Sequence, residues 1–118
     1  MTDLTWLTAA QAVAMIARKE LSPVEYLDHI LARSQAEADR LNPFAFVAAD
    51  RARDEAKAAE KAAAAGEPLG PLHGLPVGIK DLQDTEALVT TYGSPLYKDH
   101  IPQKDELIVA RLRRAGAI

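Results

Sequence analysis

Gly70-Pro71-Leu72-His73-Gly74-Leu75-Pro76-Val77-Gly78-Ile79-Lys80-Asp81 is the stretch on which the reading of this chain turns. Gly70-Pro71 and Gly74 punctuate a loop. Beyond them Leu75, Val77 and Ile79 alternate with Pro76, Gly78 and Lys80, the two-residue period of a strand. One face is apolar and suits a core. The other carries a proline, a bare glycine and a lysine where the apolar run stops. A glycine inside a strand often marks close approach by a ligand or another backbone. Two readings stand at this point: an edge strand with an exposed lysine, or a lysine held beside open space for chemistry.

Working outward, 118 residues with 48% hydrophobic and 26% charged content bound the chain to one ordinary domain with a modest core. The net charge of −3 comes with no lysine- or arginine-rich face, so direct nucleic-acid binding is not expected. There is no cysteine, which excludes disulfides, thiol catalysis and thiolate metal sites. His29, His73 and His100 lack metal-ligand spacing, and no residue set calls for a cofactor. The start Met1-Thr2-Asp3-Leu4 lacks the pattern of a signal peptide, and no apolar run approaches membrane-spanning length. The expectation is a soluble, cytoplasmic protein with no membrane partner.

Upstream, Thr8 and Gln11 are spaced as a capping box, predicting a helix to about Lys19 with Ala9, Val13 and Ile16 on one side. Ser22-Pro23-Val24-Glu25 is a stronger start: a capping serine, proline at N1 and glutamate at N3. Leu21 and Tyr26 occupy the positions of a hydrophobic staple. Pro43 should end this helix near Leu41, giving a helical hairpin over about 8–41. Phe44-Ala45-Phe46-Val47 reads as a short strand. An alanine-rich helix over about 48–65 should follow, with Arg51–Glu55 and Asp54–Lys57 paired on its surface and Gly66 as its stop. Alanine buries little, which places this helix on the outside.

Downstream of the lysine strand (75–80), Thr90-Thr91-Tyr92-Gly93-Ser94-Pro95 is a small-residue loop. Asp105 should cap a last helix over about 106–115, with Ile108, Leu112 and Ala115 on one side and Gly116 closing it. Ala117-Ile118 then reads as the approach to another strand.

The glycines beside Lys80 invite a phosphate-binding reading, which fails. A P-loop needs G-x-x-x-x-G-K-[ST], whereas here Ile79 separates Gly78 from Lys80 and Asp81 follows. A lysine acting as a base is the other chemistry, since a desolvated amine accepts a proton from a serine hydroxyl. Ser22 and Ser34 are explained by their helices and Ser94 by a turn, and no glycine-framed nucleophile, oxyanion hole or histidine partner accompanies them.

At this point the sequence resembles a known family. The 70–81 stretch is similar to the segment holding the catalytic lysine of the amidase signature family. Glu20-Leu21-Ser22-Pro23-Val24-Glu25 resembles that family's second-helix start, and Leu41-Asn42-Pro43-Phe44-Ala45-Phe46-Val47 its first strand. Thr90 to Ser94 resembles the loop after the lysine strand, and Arg111 to Ile118 the helix leading to the next strand. The resemblance covers nearly the whole chain. It implies an α/β fold, a mixed β-sheet covered by helices, of which this stretch is a helix-rich portion with few strands. It implies amide hydrolysis by a nucleophilic serine, a second serine on a cis peptide bond and a lysine, with Lys80 as that lysine and a small-molecule amide as substrate. The family's serine-bearing signature would lie downstream of Ile118, so the chain is expected to be the first part of such an enzyme, inactive alone and prone to self-association through open strand edges. Two alternatives accompany this: the amidase component of a tRNA-dependent amidotransferase, and a non-catalytic binding or structural module. Asp81 has no role derivable from sequence beyond a contact behind the lysine, and His73 reads as a structural loop residue.

Overall fold

A computed structural model describes residues 3–118. Among the described residues there are five α-helices: α1 (Ala9–Ala17), α2 (Pro23–Ala36), α3 (Ala38–Leu41), α4 (Ala49–Ala64) and α5 (Leu107–Arg114). Single 3-10 turns lie at Leu4–Trp6 and Pro95–Tyr97.

The helix starts follow local chemistry. Thr8 Oγ1 accepts the Gln11 N–H while the Thr8 N–H donates to Gln11 Oε1, the reciprocal pair of a capping box. Ser22 Oγ accepts from the N–H groups of Val24 and Glu25, with Pro23 at N1. The helix expected to reach Leu41 is instead broken. α2 closes at Glu37, and the short α3 ends at Asn42, which takes a left-handed conformation (φ 42°) before Pro43. Asparagine tolerates that region, and the following proline forbids further helix.

Leu21 and Tyr26 join Ala12 and Ile16 in one buried cluster, with Leu4, Leu7, Met15, Ile30 and Leu75 packed around it. The inward face of α1 is thus Ala12 and Ile16, while Ala9 is exposed. α2 finds its principal helix partner in α4 and not in α1. α1 still meets α2 through that cluster, and α4, expected on the outside, turns one alanine face inward. Ala56, Ala59 and Ala63 are buried, and Arg53 reaches from α4 to Asp28 on α2 at 2.8 Å. A stripe of alanines lets two helix backbones approach closely, so it serves as an interface and not as a solvent face.

α5 also differs from expectation. Its N-cap is Glu106, with no side-chain cap bond. Asp105 is drawn away: it accepts the Glu86 N–H at 2.7 Å and lies 2.7 Å from Arg113 Nε, though that N–H is not aligned for a hydrogen bond. Val109 is the buried residue of α5, and Ile108 is more than half exposed.

Among the described residues no strand is formed, at 44–47 or at 75–80. Both segments are free of helix, but a strand is defined by its ladder, and neither segment completes one. The pairing that exists is informative. Ile118 donates its N–H to the Leu75 carbonyl (2.9 Å) and accepts from the Val77 N–H (2.8 Å), the hydrogen-bond pattern of parallel strands. Just before it, Leu72 and Gly74 donate to the carbonyls of Ala115 and Gly116. A Cβ on Gly70 would stand 2.3 Å from the Ala115 oxygen, and one on Gly116 2.8 Å from the His73 Cα. Only glycine lets the loop before the lysine segment lie this close to the end of α5.

Candidate functional site

Lys80 stands at the edge of an open cleft of about 600 Å³. The walls are α2 (Leu27, Ile30, Leu31, Ser34), the 43–48 segment, the 76–81 segment, the first turns of α4, and Leu112 with Ile118 from the α5 side. Most of this lining is apolar. Its polar members, besides Lys80 and Asp81, include Arg51, Glu55 and Arg113. These three are spent on each other: Glu55 Oε1 receives Arg51 Nε and Arg113 Nη1, each at 3.1 Å. Arg51 Nη1 also donates to the Glu86 carbonyl at 2.6 Å. The cluster ties α4 to α5 and to the 81–106 loop.

Lys80 is exposed, and among the described residues its ammonium makes no hydrogen bond or ion pair. Its backbone, by contrast, is held. The Lys80 carbonyl accepts the Gln83 N–H at 3.0 Å, and the Asp81 carbonyl accepts the Tyr92 N–H at 2.9 Å. Asp81 Oδ1 accepts the Thr91 N–H at 2.7 Å, and Oδ2 accepts the Thr91 hydroxyl. The Thr91 hydroxyl and then its N–H hold the Asp81 carboxyl below the usual aspartate range, with burial opposing and the Gly93 N–H adding to the effect. Gly78 does not leave the space beside the lysine empty as its sequence position suggests: a Cβ there would lie 3.2 Å from the Phe44 ring.

None of the three serines is hydrogen-bonded to Lys80 among the described residues. Ser22 caps α2 and donates to Glu60 at 2.5 Å, and Ser94 caps the 95–97 turn through the Leu96 N–H. Ser34 lines the same cleft as Lys80 from α2. His73 Nε2 lies 2.8 Å from the Ala59 carbonyl; a carbonyl only accepts, so that nitrogen carries the proton and the ring bridges loop to helix.

Sequence reasoning missed a second cluster on the far side of the 81–104 loop. The Tyr92 hydroxyl donates to Asp84 Oδ1 and lies 3.2 Å from His100 Nε2. Tyr97 packs edge-on to Tyr92 with centroids 5.1 Å apart. The hydrogen bond to Asp84 leads in pushing the Tyr92 phenol up to about 12, helped by burial and by the Asp84 charge. The available signal was the density of acidic and aromatic residues between Asp81 and His100, which carries no helical or strand period. No group of three or more histidine, cysteine or acidic side chains among the described residues is arranged to hold a metal ion.

With the geometry in hand, the chain can be set beside known proteins. The sequence model of the Amidase family matches residues 25–118. A glutamyl-tRNA(Gln) amidotransferase subunit of Salinispora tropica is 44% identical over 118 residues, which is all of this chain and 24% of that protein. Among solved structures, one from a vestigial protein complex bearing on the origins of an s-triazine catabolic enzyme superposes with a TM-score of 0.90 at 33% identity. It covers 95% of this chain and 25% of that one. A bacterial aryl acylamidase of the amidase signature enzymes superposes with a TM-score of 0.88 at 26% identity, over 96% of this chain and 24% of that one. The chain therefore spans about a quarter of the length of the relatives it matches. No helix among the described residues is long and apolar enough to cross a membrane. On the strength of the family match over residues 25–118 and the likeness along the full chain, this protein belongs to the amidase signature family.

Proposed function

We propose that this chain supplies the catalytic lysine, Lys80, of an enzyme that cleaves carbon–nitrogen amide bonds. The observation that carries the reading is the contrast at residue 80: a backbone fixed by the turn after it, and a side chain left unengaged at the mouth of a cleft. In this reading a serine attacks the amide carbonyl, and its proton passes through a second serine, on a cis peptide bond, to the Lys80 amine. The amine returns the proton to the leaving nitrogen as the carbon–nitrogen bond breaks. In this reading both serines come from the rest of the enzyme: Ser22 and Ser94 are committed to caps, and Ser34, inside α2, makes no hydrogen bond to Lys80. The mixed sheet belongs to the same proposal. Leu75–Val77 begins a parallel ladder with Ile118, and the apolar cleft wall formed by Val77, Ile79 and Phe46 is what further strands or helices would cover.

The amidotransferase reading has its own support, the 44% identity to a protein named as a glutamyl-tRNA(Gln) amidotransferase subunit. There the amide is glutamine and the released ammonia is passed on. The chemistry at Lys80 is the same in both cases. Its test uses the complete polypeptide that carries this segment, with single-turnover acylation by a simple aryl amide or by glutamine as the readout. Lys80→Ala should abolish acylation while leaving the melting temperature nearly unchanged, because the side chain is exposed. Lys80→Arg should fail equally, since a guanidinium stays protonated and cannot relay a proton. Near wild-type acylation by Lys80→Arg would show that the position supplies only charge. Turnover of glutamine in preference to the aryl amide would select the amidotransferase reading.

A further inference from the structure

We propose that Asp81 is the positioning residue of Lys80: by gripping Thr91, its carboxylate fixes the main chain from which the lysine amine is presented to the cleft. This deepens the preceding assignment and rests on it. A lysine side chain has four rotatable bonds, and here none is restrained by a partner. What is dictated is the place and direction of its Cα–Cβ bond, and that is set by the backbone of residues 80 and 81.

That backbone has no complete sheet ladder to hold it in register. The hold comes from the 90–93 loop. The Tyr92 N–H and the Thr91 N–H donate to the Asp81 carbonyl and to Asp81 Oδ1 at 2.9 and 2.7 Å, and the Thr91 hydroxyl donates to Oδ2. The same hydroxyl oxygen accepts the Gly93 N–H at 3.2 Å, so Asp81, through its carboxylate and its own carbonyl, organises three consecutive loop residues. The loop is itself in a costly shape: Tyr92 stands at φ 54°, where side-chain-bearing residues are rare. It is kept there from two sides, by the Asp81 carbonyl on its N–H and by Asp84 on its hydroxyl. Lys80 is exposed and its ammonium free, while Asp81, inside the turn that follows, is half-buried with both carboxylate oxygens engaged by Thr91. A displacement of about 1 Å in a reacting group can cost on the order of 100-fold in rate. A loosened Asp81–Thr91 contact is placed to produce one.

The test uses the complete polypeptide and the same amide probes, with rates expressed per folded molecule. Asp81→Ala should lower kcat by about 100-fold, with KM changed by less than about twofold. Asp81→Asn should recover most of kcat, because its carbonyl accepts the Thr91 N–H and its amide donates to the Thr91 hydroxyl. Thr91→Val, which keeps the N–H contact and loses the hydroxyl, should fall between the two. Should Asp81→Ala not fold, the Asn and Val variants decide the matter. Wild-type kcat in Thr91→Val together with Asp81→Ala, or in Thr91→Val alone where the alanine variant is lost, would overturn the proposal. So would an Asp81→Asn variant no better than Asp81→Ala. Lys80→Ala run in parallel separates the two claims: full activity there sinks the assignment of Lys80 as the catalytic lysine, whereas a dead Lys80→Ala beside a fully active Asp81→Ala sinks only the role of Asp81.

Discussion

At the scale of single residues, Asp81 and Asp84 each accept a hydrogen bond from a hydroxyl, and the Asp81 carboxyl and the Tyr92 phenol carry opposite pH signatures. Asp81 lies below its ordinary value, so its contribution is present above the unfolded aspartate pKa and is lost as pH falls through the folded one. Tyr92 is raised to about 12, so the Asp84–Tyr92 contact is complete below the ordinary tyrosine value of 10.0 and disappears as pH rises through about 12. An alkaline titration followed by tyrosinate absorbance should therefore show one tyrosine ionising late, and Tyr92→Phe should remove that late step. A wild type and a Tyr92→Phe variant that differ by a tyrosine ionising near 10 would refute the hydrogen bond. The helix-free segment that ends at Lys80 was legible in the sequence because the alternation around it is local. The partner of Asp81 was not, because Thr91 lies ten residues away across a loop without a period. Gly78 shows the limit of local reading from the other side: the gap it leaves is filled by Phe44, 34 residues earlier in the chain.

At the scale of elements, what sequence predicts well is where helices begin and end, because caps are local chemistry. The Thr8 and Ser22 caps and the Arg51–Glu55 pair stand where spacing places them. The stop after α4 does too: Gly66 and Glu67 donate to the carbonyls of Ala63 and Ala62, both bonds of a Schellman motif. What sequence predicts badly is which face turns inward, because that is decided by the partner. The burial of Val109 in place of Ile108, and the buried alanines of α4, both depend on elements far away in the chain. The α2–α4 contact makes a sharp test. Ala56 is fully buried, so Ala56→Leu should push the helices apart and destabilise the fold by about 1–3 kcal/mol, as overpacking does. Ala58→Leu on the exposed face of the same helix should be close to neutral, since leucine and alanine have similar helix propensities. Urea denaturation of both variants measures the difference. Equal midpoints would mean that α4 does not use its alanine stripe as an interface.

At the scale of the whole molecule, the described chain is more open than its length requires. Its radius of gyration is 14.8 Å, against about 13.5 Å for a compact domain of 118 residues. Ile16 is the large side chain that is fully buried, and alanines make up much of the rest of the core. Meanwhile Phe44, Phe46, Val47, Leu107 and Ile108 are each more than 40% exposed, and the first three line the cleft beside Lys80. Contiguous apolar surface of this kind marks a face made for contact. The amide-bearing backbone of 75–79 adds directional capacity, because it pairs with Ile118 along only part of its length. The 118-residue chain in isolation is therefore expected to self-associate and to bind an apolar dye such as ANS. Association should strengthen with added salt, which screens the repulsion of a net charge of −3 and does not weaken apolar contact. Sedimentation velocity across a range of protein concentrations is the measurement. Replacing Phe44 and Phe46 by serine should shift the chain toward monomer and reduce dye binding, without touching α1 or its cap. A wild-type chain that sediments as a monomer at all concentrations, with a sharp thermal transition and no dye binding, would show that the cleft closes on itself and that the walls around Lys80 need no further cover.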